Sequence, residues 1–332
     1  MKKFINKYEN LIEEMVEGYV LANSNKVKRL PNERVLVYSN APIQGKVGVI
    51  TGGGSGHKPA FIGYIGKGLL DAVAVGDIFA APPVQRCYEA IKAVDGGKGV
   101  LVCIGNYSGD TMNFGIAAEL AQDEGIPVEI LVVNDDVASS PKDRMDNRRG
   151  VAGEVVLWKM MGALAQEGAD LATLKEVGNR TIFNTRSLGV AHTPCIMPSS
   201  GKPSFQIGDD EMEIGVGHHG EPGIQRTKLM SADEVTTLIT QKILEDLPFG
   251  AGDEVSVLMS GLGSTSLLEM YICYRKLHQI LTDHQIIVHR NYIGEYFTSM
   301  EMGGFSITLT KLDEDLKRLI DAPCDGVHLI QH

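Results

Sequence analysis

The chain has few cysteines and no spacing that would join them into a covalent or metal-bound framework. Its 332 residues include five cysteines, which are widely separated and never form a Cys-x-x-Cys pair. An odd number of scattered thiols argues against a disulfide framework and against a structural zinc site. We therefore predict that Cys87, Cys103, Cys195, Cys273 and Cys324 are reduced thiols.

Positive charge is also scarce. Lysine and arginine total 31 against 42 aspartate and glutamate residues, which gives a formal net charge of -11. Nucleic acids and anionic membrane surfaces are bound by basic surfaces, so this balance excludes both as direct partners. It favours a protein that binds or converts a small molecule.

Long apolar runs are missing as well. No stretch reaches the roughly 18 apolar residues of a membrane span, and the basic N-terminus is not followed by the apolar run of a signal peptide. We expect a cytoplasmic protein. With 43% hydrophobic residues, the chain can bury a large core, and its length favours about two domains of roughly 100–200 residues.

Short apolar runs alternate with amphipathic stretches along the first half of the chain. Because such alternation is typical of helices packed on parallel strands, we predict two α/β domains with mixed, largely parallel sheets. We place the domains at residues 1–184 and 185–332, where a helical pattern gives way to polar, proline-containing sequence. The first domain has predicted strands at 34–38, 46–50, 99–104 and 127–133 and predicted helices at 9–23, 84–94, 113–122 and 151–167.

The second domain continues the same kinds of pattern. Its predicted strands lie at 212–216, 255–259, 286–289 and 305–310, and its predicted helices at 232–247 and 267–281. The first of these helices has Ser231 as its N-cap and Glu234 at the capping-box position. In the first domain, Trp158 is predicted to lie in the core.

A glycine-rich loop, residues 52–57 (GGGSGH), directly follows a predicted strand. It is not a phosphate-binding Walker A loop, because the lysine spacing is not met and Pro59 follows Lys58. Its backbone N–H groups favour a site for an anion or a hydroxyl, with His57 presented at its end. The alternative is a tight turn that needs glycine for positive φ.

Two further loops carry ionisable side chains. Asp110 precedes a predicted helix, so it is either a helix N-cap or a general base. His218 and His219 lie between glycines in residues 215–223 (GVGHHGEPG). They are either exposed turn residues or part of a site in which glycine lets the backbone approach a ligand closely.

Taken together, residues 52–57, 105–110 (GNYSGD) and 217–223 (GHHGEPG) resemble the ketose-binding domain of the dihydroxyacetone kinase family. The resemblance runs over almost the full length and is highly specific. Its supporting matches are residues 63–66 (GYIG), 76–79 (GDIF), 201–205 (GKPSF) and 298–308 (TSMEMGGFSIT).

The resemblance implies a ligand site at the domain interface, in which His219 attacks the C2 carbonyl of dihydroxyacetone to form a covalent hemiaminal. It implies that His57 and Asp110 hydrogen-bond the ketose hydroxyls. In a kinase, Asp110 would also act as general base and His57 would assist phosphoryl transfer. Backbone contacts from Gly54, Ser55 and Gly56 complete the implied site, His218 is supportive, and a homodimer is expected.

The resemblance also bears on cofactors and partners. The chain shows no nucleotide-binding domain, so we expect no cofactor and no magnesium site on it. A kinase built from it would need ADP or ATP with Mg²⁺ on a partner subunit, with ADP recharged by a phosphotransferase-system protein.

Three loops depart from the motifs common in the family. Members commonly read Gly-His-Glu-Pro, Lys-Asn-Tyr-Thr-Gly-Asp and Phe-Thr-Ser-Pro, whereas this chain has Lys58, Gly105, Ala80 and Ala81. The implied ketose contacts are retained and the implied phosphoryl-transfer loops are altered. We therefore predict a ligand-sensing coactivator of a transcription regulator. The alternative is the substrate-binding subunit of a kinase for dihydroxyacetone or erythrulose.

Overall fold

Strands and helices alternate over residues 72–133, as the sequence pattern predicts, whereas the strands of residues 27–67 follow one another with no α-helix between them among the residues that the structure describes. The computed structural model describes residues 2–31, 33–247 and 249–332. In chain order, its elements up to the predicted boundary are α1 (Leu11–Ala22), β1 (Val27–Arg29), β2 (Val35–Tyr38), β3 (Gly48–Gly53), β4 (Gly66–Lys67), β5 (Ala72–Val75), α2 (Val84–Val94), β6 (Val100–Gly105), α3 (Ser108–Asp123), β7 (Val128–Val133), α4 (Gly153–Gln166) and α5 (Leu171–Phe183).

The remaining elements follow the predicted boundary. They are β8 (Thr185–Thr193), β9 (Glu211–Ile214), β10 (Gln225–Lys228), α6 (Ala232–Asp246), β11 (Glu254–Gly261), α7 (Leu267–Asp283), β12 (Ile287–Gly294), β13 (Gly303–Leu312), α8 (Glu314–Asp321), β14 (Cys324–Gly326) and β15 (Ile330–Gln331). The predicted capping box of α6 is confirmed, because the Ser231 hydroxyl accepts from the Glu234 N–H and the Glu234 carboxylate accepts from the Ser231 N–H.

The chain forms two compact units, and each is discontinuous in sequence. The first comprises Met1–Val133, Leu157–Arg180 and Ala322–His332, and the second comprises Asn134–Val156 and Thr181–Asp321. The chain passes between the units after residues 133, 156, 180 and 321. The predicted single boundary at 184/185 lies near the third of these positions and does not describe the others. Helices α4 and α5 each contain residues of both units, and periodicity within a helix carries no sign of such a crossing.

The sheet of the first unit has the strand order β1-β2-β5-β3-β6-β7. Strands β5, β3, β6 and β7 run parallel to one another, while β2 pairs antiparallel with both β1 and β5. The carboxyl ends of β5, β3 and β6 therefore meet at one edge of the sheet, which is where ligand loops occur in parallel sheets.

Helix α2 shows why this unit has a stable core. Cys87, Ala90, Ile91 and Val94 recur at helical spacing, are buried, and pack with α3 and the sheet in one apolar cluster.

Trp158 is fully buried, as predicted, and its indole N–H donates to the carbonyl of Cys103 at 3.3 Å. All five cysteines are free and buried, which confirms the prediction of reduced thiols.

The sheet of the second unit has the order β10-β9-β8-β13-β11-β12. Four of its five pairings are antiparallel, and only β11 and β12 are parallel. The predicted α/β class is confirmed, while the description as largely parallel applies to the first sheet. A parallel pair needs a crossover connection, and α7 supplies it between β11 and β12.

Strand β8 lies where the sequence pattern predicted a polar linker. Its polar residues Thr185 and Ser187 are nevertheless buried, because hydroxyls of β13 pair with them. Ser187 Oγ lies 2.6 Å from Thr308 Oγ1, and Thr185 Oγ1 lies 3.0 Å from Thr310 Oγ1. Hydrophobic alternation cannot reveal a strand whose buried face is made of matched hydroxyl groups.

Among the described residues, no helix has both the length and the apolar character needed to cross a membrane.

Candidate functional site

The first candidate loop follows β3 at the carboxyl edge of the first sheet. His57 is buried at its end, with its ring 5.1 Å from that of Phe79 and 6.2 Å from that of Phe61, measured between centroids. Ser55 donates from its N–H to the Asp77 carbonyl at 2.9 Å and from its hydroxyl to the Gly76 carbonyl at 2.6 Å. The segment after β5 therefore holds the His57 loop in place.

Glycine is required in this loop by close packing. None of the four glycines in this segment has a positive φ; they are Gly52, Gly53, Gly54 and Gly56. The alternative prediction, a tight turn that needs glycine for positive φ, therefore does not explain them. A Cβ on Gly54 would lie 2.9 Å from the backbone N atoms of Phe79 and Ala80, and one on Gly56 would lie 2.1 Å from the Phe79 ring. The Ser55 N–H donates to the Asp77 carbonyl. It is therefore not one of the N–H groups that the sequence predicted to be open to a ligand.

Asp110 lies in the first turn of α3 and not at its N-cap. The helix begins at Ser108 after Tyr107, so the predicted start at residue 113 was five residues late. An acidic residue in the first turn is stabilised by the helix dipole, which keeps a structural role for Asp110 open beside the chemical one.

The segment after β5 also contacts the start of α3. Asn113 donates its side-chain N–H to the carbonyl of Pro82 at 2.8 Å, and a Cβ on Gly109 would lie 2.9 Å from that of Ala81. Residues 76–82 thus lie against both the His57 loop and the first turn of α3. Residues 76–82 therefore contact both the loop that carries His57 and the helix turn that carries Asp110.

The four departures from the family motifs lie at this edge. Ala80 and Ala81 belong to residues 76–82, and Gly105 is the buried last residue of β6. Lys58 directly follows His57 and is half-buried, and its removal from water lowers its pKa to about 7.

In the second unit, the loop between β9 and β10 carries both candidate histidines. Its turn is closed by a hydrogen bond from the Gly220 N–H to the Gly217 carbonyl at 3.0 Å, with His218 and His219 as its central residues. Gly220 has φ +88°, a conformation that glycine adopts readily.

His219 is oriented by Glu221. The His219 Nδ1 atom lies 3.0 Å from Glu221 Oε1, and the His219 backbone N–H donates to Glu221 Oε2 at 2.9 Å. Burial alone would raise the pKa of Glu221, but the hydrogen bond with His219, with help from the Arg149 charge, lowers it to about 2. Glu221 is therefore a carboxylate at neutral pH and must accept the proton on Nδ1, which leaves the lone pair of a neutral His219 ring on Nε2.

His218 has different surroundings. It is 4% exposed and stacks on Phe297 with 4.7 Å between ring centroids, whereas the His219 side chain is 27% exposed. Burial lowers the pKa of His218 to about 3, so its ring is neutral at physiological pH. This environment suits packing, in line with the supportive role predicted for it.

The sequence pattern did not single out Arg149 or Asp136, which support this loop. The Arg149 side chain donates to the Gly215 carbonyl at 3.0 Å and pairs with Asp136 at 2.8 Å, and its Nη1 lies 3.9 Å from Glu221 Oε2. Burial raises the pKa of Asp136 to about 6 even though Arg149 opposes it.

The charged segment that contains Arg149 is solvated only in part. Its residues Lys142, Asp143 and Arg144 are exposed. Arg148 is instead buried and makes a two-pronged ion pair with Asp246, which also pairs with Arg186. The adjacent arginines Arg148 and Arg149 at the end of a charged run were the only sequence sign of these ion pairs. Their partners Asp246 and Glu221 are distant in sequence, so the pairs could not be predicted.

The predicted site residues are therefore distributed over both units. His57 and Asp110 lie with Gly54, Ser55 and Gly56 in the first unit, and His219 lies with Glu221 in the second. Among the described residues, no group of three or more His, Cys, Asp or Glu side chains could hold a metal ion.

Comparison with known proteins gives a consistent result. Residues 17–328 match the model of the Dak1 domain. The chain is 44% identical over 326 residues to the dihydroxyacetone-binding subunit DhaK of the PTS-dependent dihydroxyacetone kinase 2 of Listeria innocua, covering 98% of each protein. It is 39% identical to the L-erythrulose kinase of Pectobacterium atrosepticum, of which it covers 56%.

One solved structure extends the comparison to a regulatory protein. The chain is similar, with a TM-score of 0.91 and 31% identity, to the dihydroxyacetone kinase operon co-activator Dha-DhaQ, covering 96% of this chain and 98% of that one.

Proposed function

Because the chain belongs to the Dak1 domain family, the dihydroxyacetone kinase family that its motifs resemble, we propose that it binds dihydroxyacetone and holds it covalently on His219. The observation that carries this proposal is the 3.0 Å contact between His219 Nδ1 and the Glu221 carboxylate. It fixes the tautomer in which Nε2 is the nucleophilic nitrogen.

The covalent step needs no co-reactant. The Nε2 lone pair attacks the C2 carbonyl carbon and the carbonyl π electrons move to oxygen, which leaves a positive ring and an alkoxide. The ring then loses its Nδ1 proton through Glu221 to solvent, and the alkoxide takes up a proton from solvent, which gives the neutral hemiaminal. Glu221 stabilises the positive charge that develops on the ring during attack. Glycerol has no carbonyl group, so this step would distinguish the ketose from the corresponding polyol.

His57 and Asp110 are proposed to bind the ketose hydroxyl groups, as the family motifs imply. A shared role is supported by residues 76–82, which contact both the loop of His57 and the first turn of α3 that carries Asp110. The backbone of Gly54, Ser55 and Gly56 is proposed to line the same site.

The covalent role can be tested by mass spectrometry of the intact protein under non-denaturing conditions. With dihydroxyacetone, the wild-type chain should carry one ligand adduct, and the His219→Ala variant should carry none. The matched control is His278→Ala, which changes an exposed histidine of α7 and should keep the adduct. An adduct of unchanged abundance in His219→Ala would rule out the covalent role of His219.

Two roles can follow binding. The 44% identity to a kinase subunit, against 31% to the co-activator, leads us to place the kinase-subunit role first, which reverses the order that the motif departures suggested. In that role Asp110 takes the proton from the attacking hydroxyl, while a separate subunit supplies the nucleotide. The co-activator role is favoured by Lys58, Gly105, Ala80 and Ala81.

A reconstituted assay separates the two roles. The chain is mixed with dihydroxyacetone and with the nucleotide-binding subunit and phosphoryl donor of a PTS-dependent relative. The kinase role predicts formation of dihydroxyacetone phosphate, lost in Asp110→Asn by at least about a hundredfold. Ligand binding without turnover, together with ketose-dependent binding to a transcription regulator, would instead support the co-activator role. Erythrulose in place of dihydroxyacetone tests the choice of ketose.

A further inference from the structure

A cavity of about 390 Å³ lies in the first unit, and none of the residues that line it is among those proposed to contact the ketose. Its lining is mostly apolar and includes Met15, Tyr19, Ile62 and Val327, together with the basic residues Lys58 and His328. No residue lining it is acidic among those the structure describes. Such a space suits a small, uncharged organic molecule.

The walls of this cavity come from separate parts of the unit and are joined by hydrogen bonds. Helix α1 supplies Tyr19, whose hydroxyl donates to the carbonyl of Ile62 at 2.6 Å. The segment between β14 and β15 supplies His328, whose backbone N–H donates to the Gly63 carbonyl at 2.7 Å. These bonds fix the shape of the cavity before any ligand binds.

Lys58 is the nucleophile that this cavity presents. Its side chain is half-buried, and burial lowers its pKa to about 7. A much larger fraction of Lys58 is then neutral at pH 7 than of an ordinary exposed lysine, of which under about 0.1% is neutral. Burial keeps Tyr19 protonated by raising its pKa, so the phenol does not compete as a nucleophile.

We propose that this cavity binds a small apolar aldehyde and that Lys58 captures it as an imine. The Nζ lone pair attacks the carbonyl carbon, and the oxygen takes up the proton that leaves nitrogen, which gives a carbinolamine. Loss of water then forms the C=N bond, and His328, exposed at the cavity, exchanges the protons with solvent. The proposal does not depend on ketose binding at His219.

The test uses butanal as the probe and sodium cyanoborohydride to trap imines as stable amines. The full-length chain is treated at pH 7 and the butylated lysines are mapped by peptide mass spectrometry, with the α-amino group followed as a separate peptide. Lys58 should be alkylated at least about tenfold faster than Lys67, an exposed lysine of β4. Equal rates at the two lysines would overturn the proposal.

Three variants establish the cause of the reactivity. Met15→Trp fills the cavity and should slow butylation of Lys58 at least about threefold, whereas an unchanged rate would show that the cavity does not select the aldehyde. Lys67→Arg should leave the Lys58 rate unchanged. His219→Ala should also leave it unchanged, so that failure of ketose capture and failure of aldehyde capture can be told apart. If a variant is misfolded by circular dichroism, the Lys58 to Lys67 ratio in the wild-type chain still decides.

Discussion

His218 and His219 are adjacent and have the same side chain, yet their surroundings give the two rings different chemistry. Phe297 stacks on the first ring, and the Glu221 carboxylate holds the second. The motif predicted His219 as the reactive residue, and that choice stays a prediction. The role of Glu221 could not be predicted from spacing alone, because only the folded turn brings the carboxylate against Nδ1.

Replacing Glu221 should weaken ketose capture without unfolding the chain. In Glu221→Ala the ring loses the carboxylate that fixes its tautomer and stabilises charge during attack, so we expect dihydroxyacetone to bind at least about tenfold more weakly. Titration of adduct occupancy by intact-protein mass spectrometry measures the change. Asp209→Ala, which removes an exposed carboxylate from the same unit, is the control, and equal affinities in the two variants would contradict the positioning role.

The same carboxylate predicts how stability depends on pH. The pKa of Glu221 is lowered from 4.5 to about 2 in the folded state, so its contribution to the free energy of unfolding is fully present above pH 4.5 and is lost as pH falls toward 2. Allowing for a side chain one-third exposed, we expect Glu221→Gln to be less stable by about 1–2 kcal/mol at pH 7. Urea unfolding at pH 7, 4 and 3 should show this difference shrinking, and a constant difference would exclude the linkage.

At the scale of elements, the sequence predicted most accurately those helices whose burial follows a simple stripe. Helix α2 matches its predicted bounds of 84–94, and the capping box of α6 is present. Strand β8 was missed because Thr185 and Ser187 are buried against hydroxyls of another strand. The glycine-rich segment was located, but Gly52 and Gly53 belong to β3, which extends beyond its predicted end at residue 50. Gly54 and Gly56 pack closely against Phe79, a contact across a sheet edge that no local pattern reports.

A methyl group on Gly54 should displace the His57 loop. In Gly54→Ala the new Cβ would lie 2.9 Å from the backbone of Phe79 and Ala80, and backbone cannot move aside as a flexible side chain can. We expect a loss of stability of about 1–3 kcal/mol and a loss of ketose affinity. The control is Gly18→Ala in α1, where nothing lies within 4 Å of the added carbon and helix propensity predicts equal or higher stability. Thermal unfolding and ligand titration of both variants would contradict the packing argument if Gly54→Ala behaved like the control.

At the scale of the whole molecule, the family and the α/β class were predictable because motifs and periodicity are local. The division into units was not, since each unit is assembled from distant segments. Strand β14 pairs with β4 although about 260 residues separate them, and Lys26 forms an ion pair with Asp325. The composition shift near residue 184 marks one place where the chain passes from the first unit to the second. It does not indicate that residues 322–332, which follow the second unit in sequence, belong to the first unit.

Removal of residues 322–332 should therefore loosen the first unit and leave the second unchanged. The deletion takes away β14 and β15, which are two of the three strands of the sheet β15-β14-β4, and the buried side chains of Cys324 and Leu329. It also removes the hydrogen bond from the His328 N–H to the Gly63 carbonyl. Hydrogen exchange measured by mass spectrometry should become at least about tenfold faster around β4 and Ile62–Tyr64, while β11 and β13 keep their protection. Lys28→Ala is the matched control, because this lysine of β1 bonds to Ser39 and Ala41 and not to the C-terminal strands. Equal loss of protection in both units would mean that they unfold together, and unchanged exchange around β4 would mean that the C-terminal strands do not stabilise the first unit.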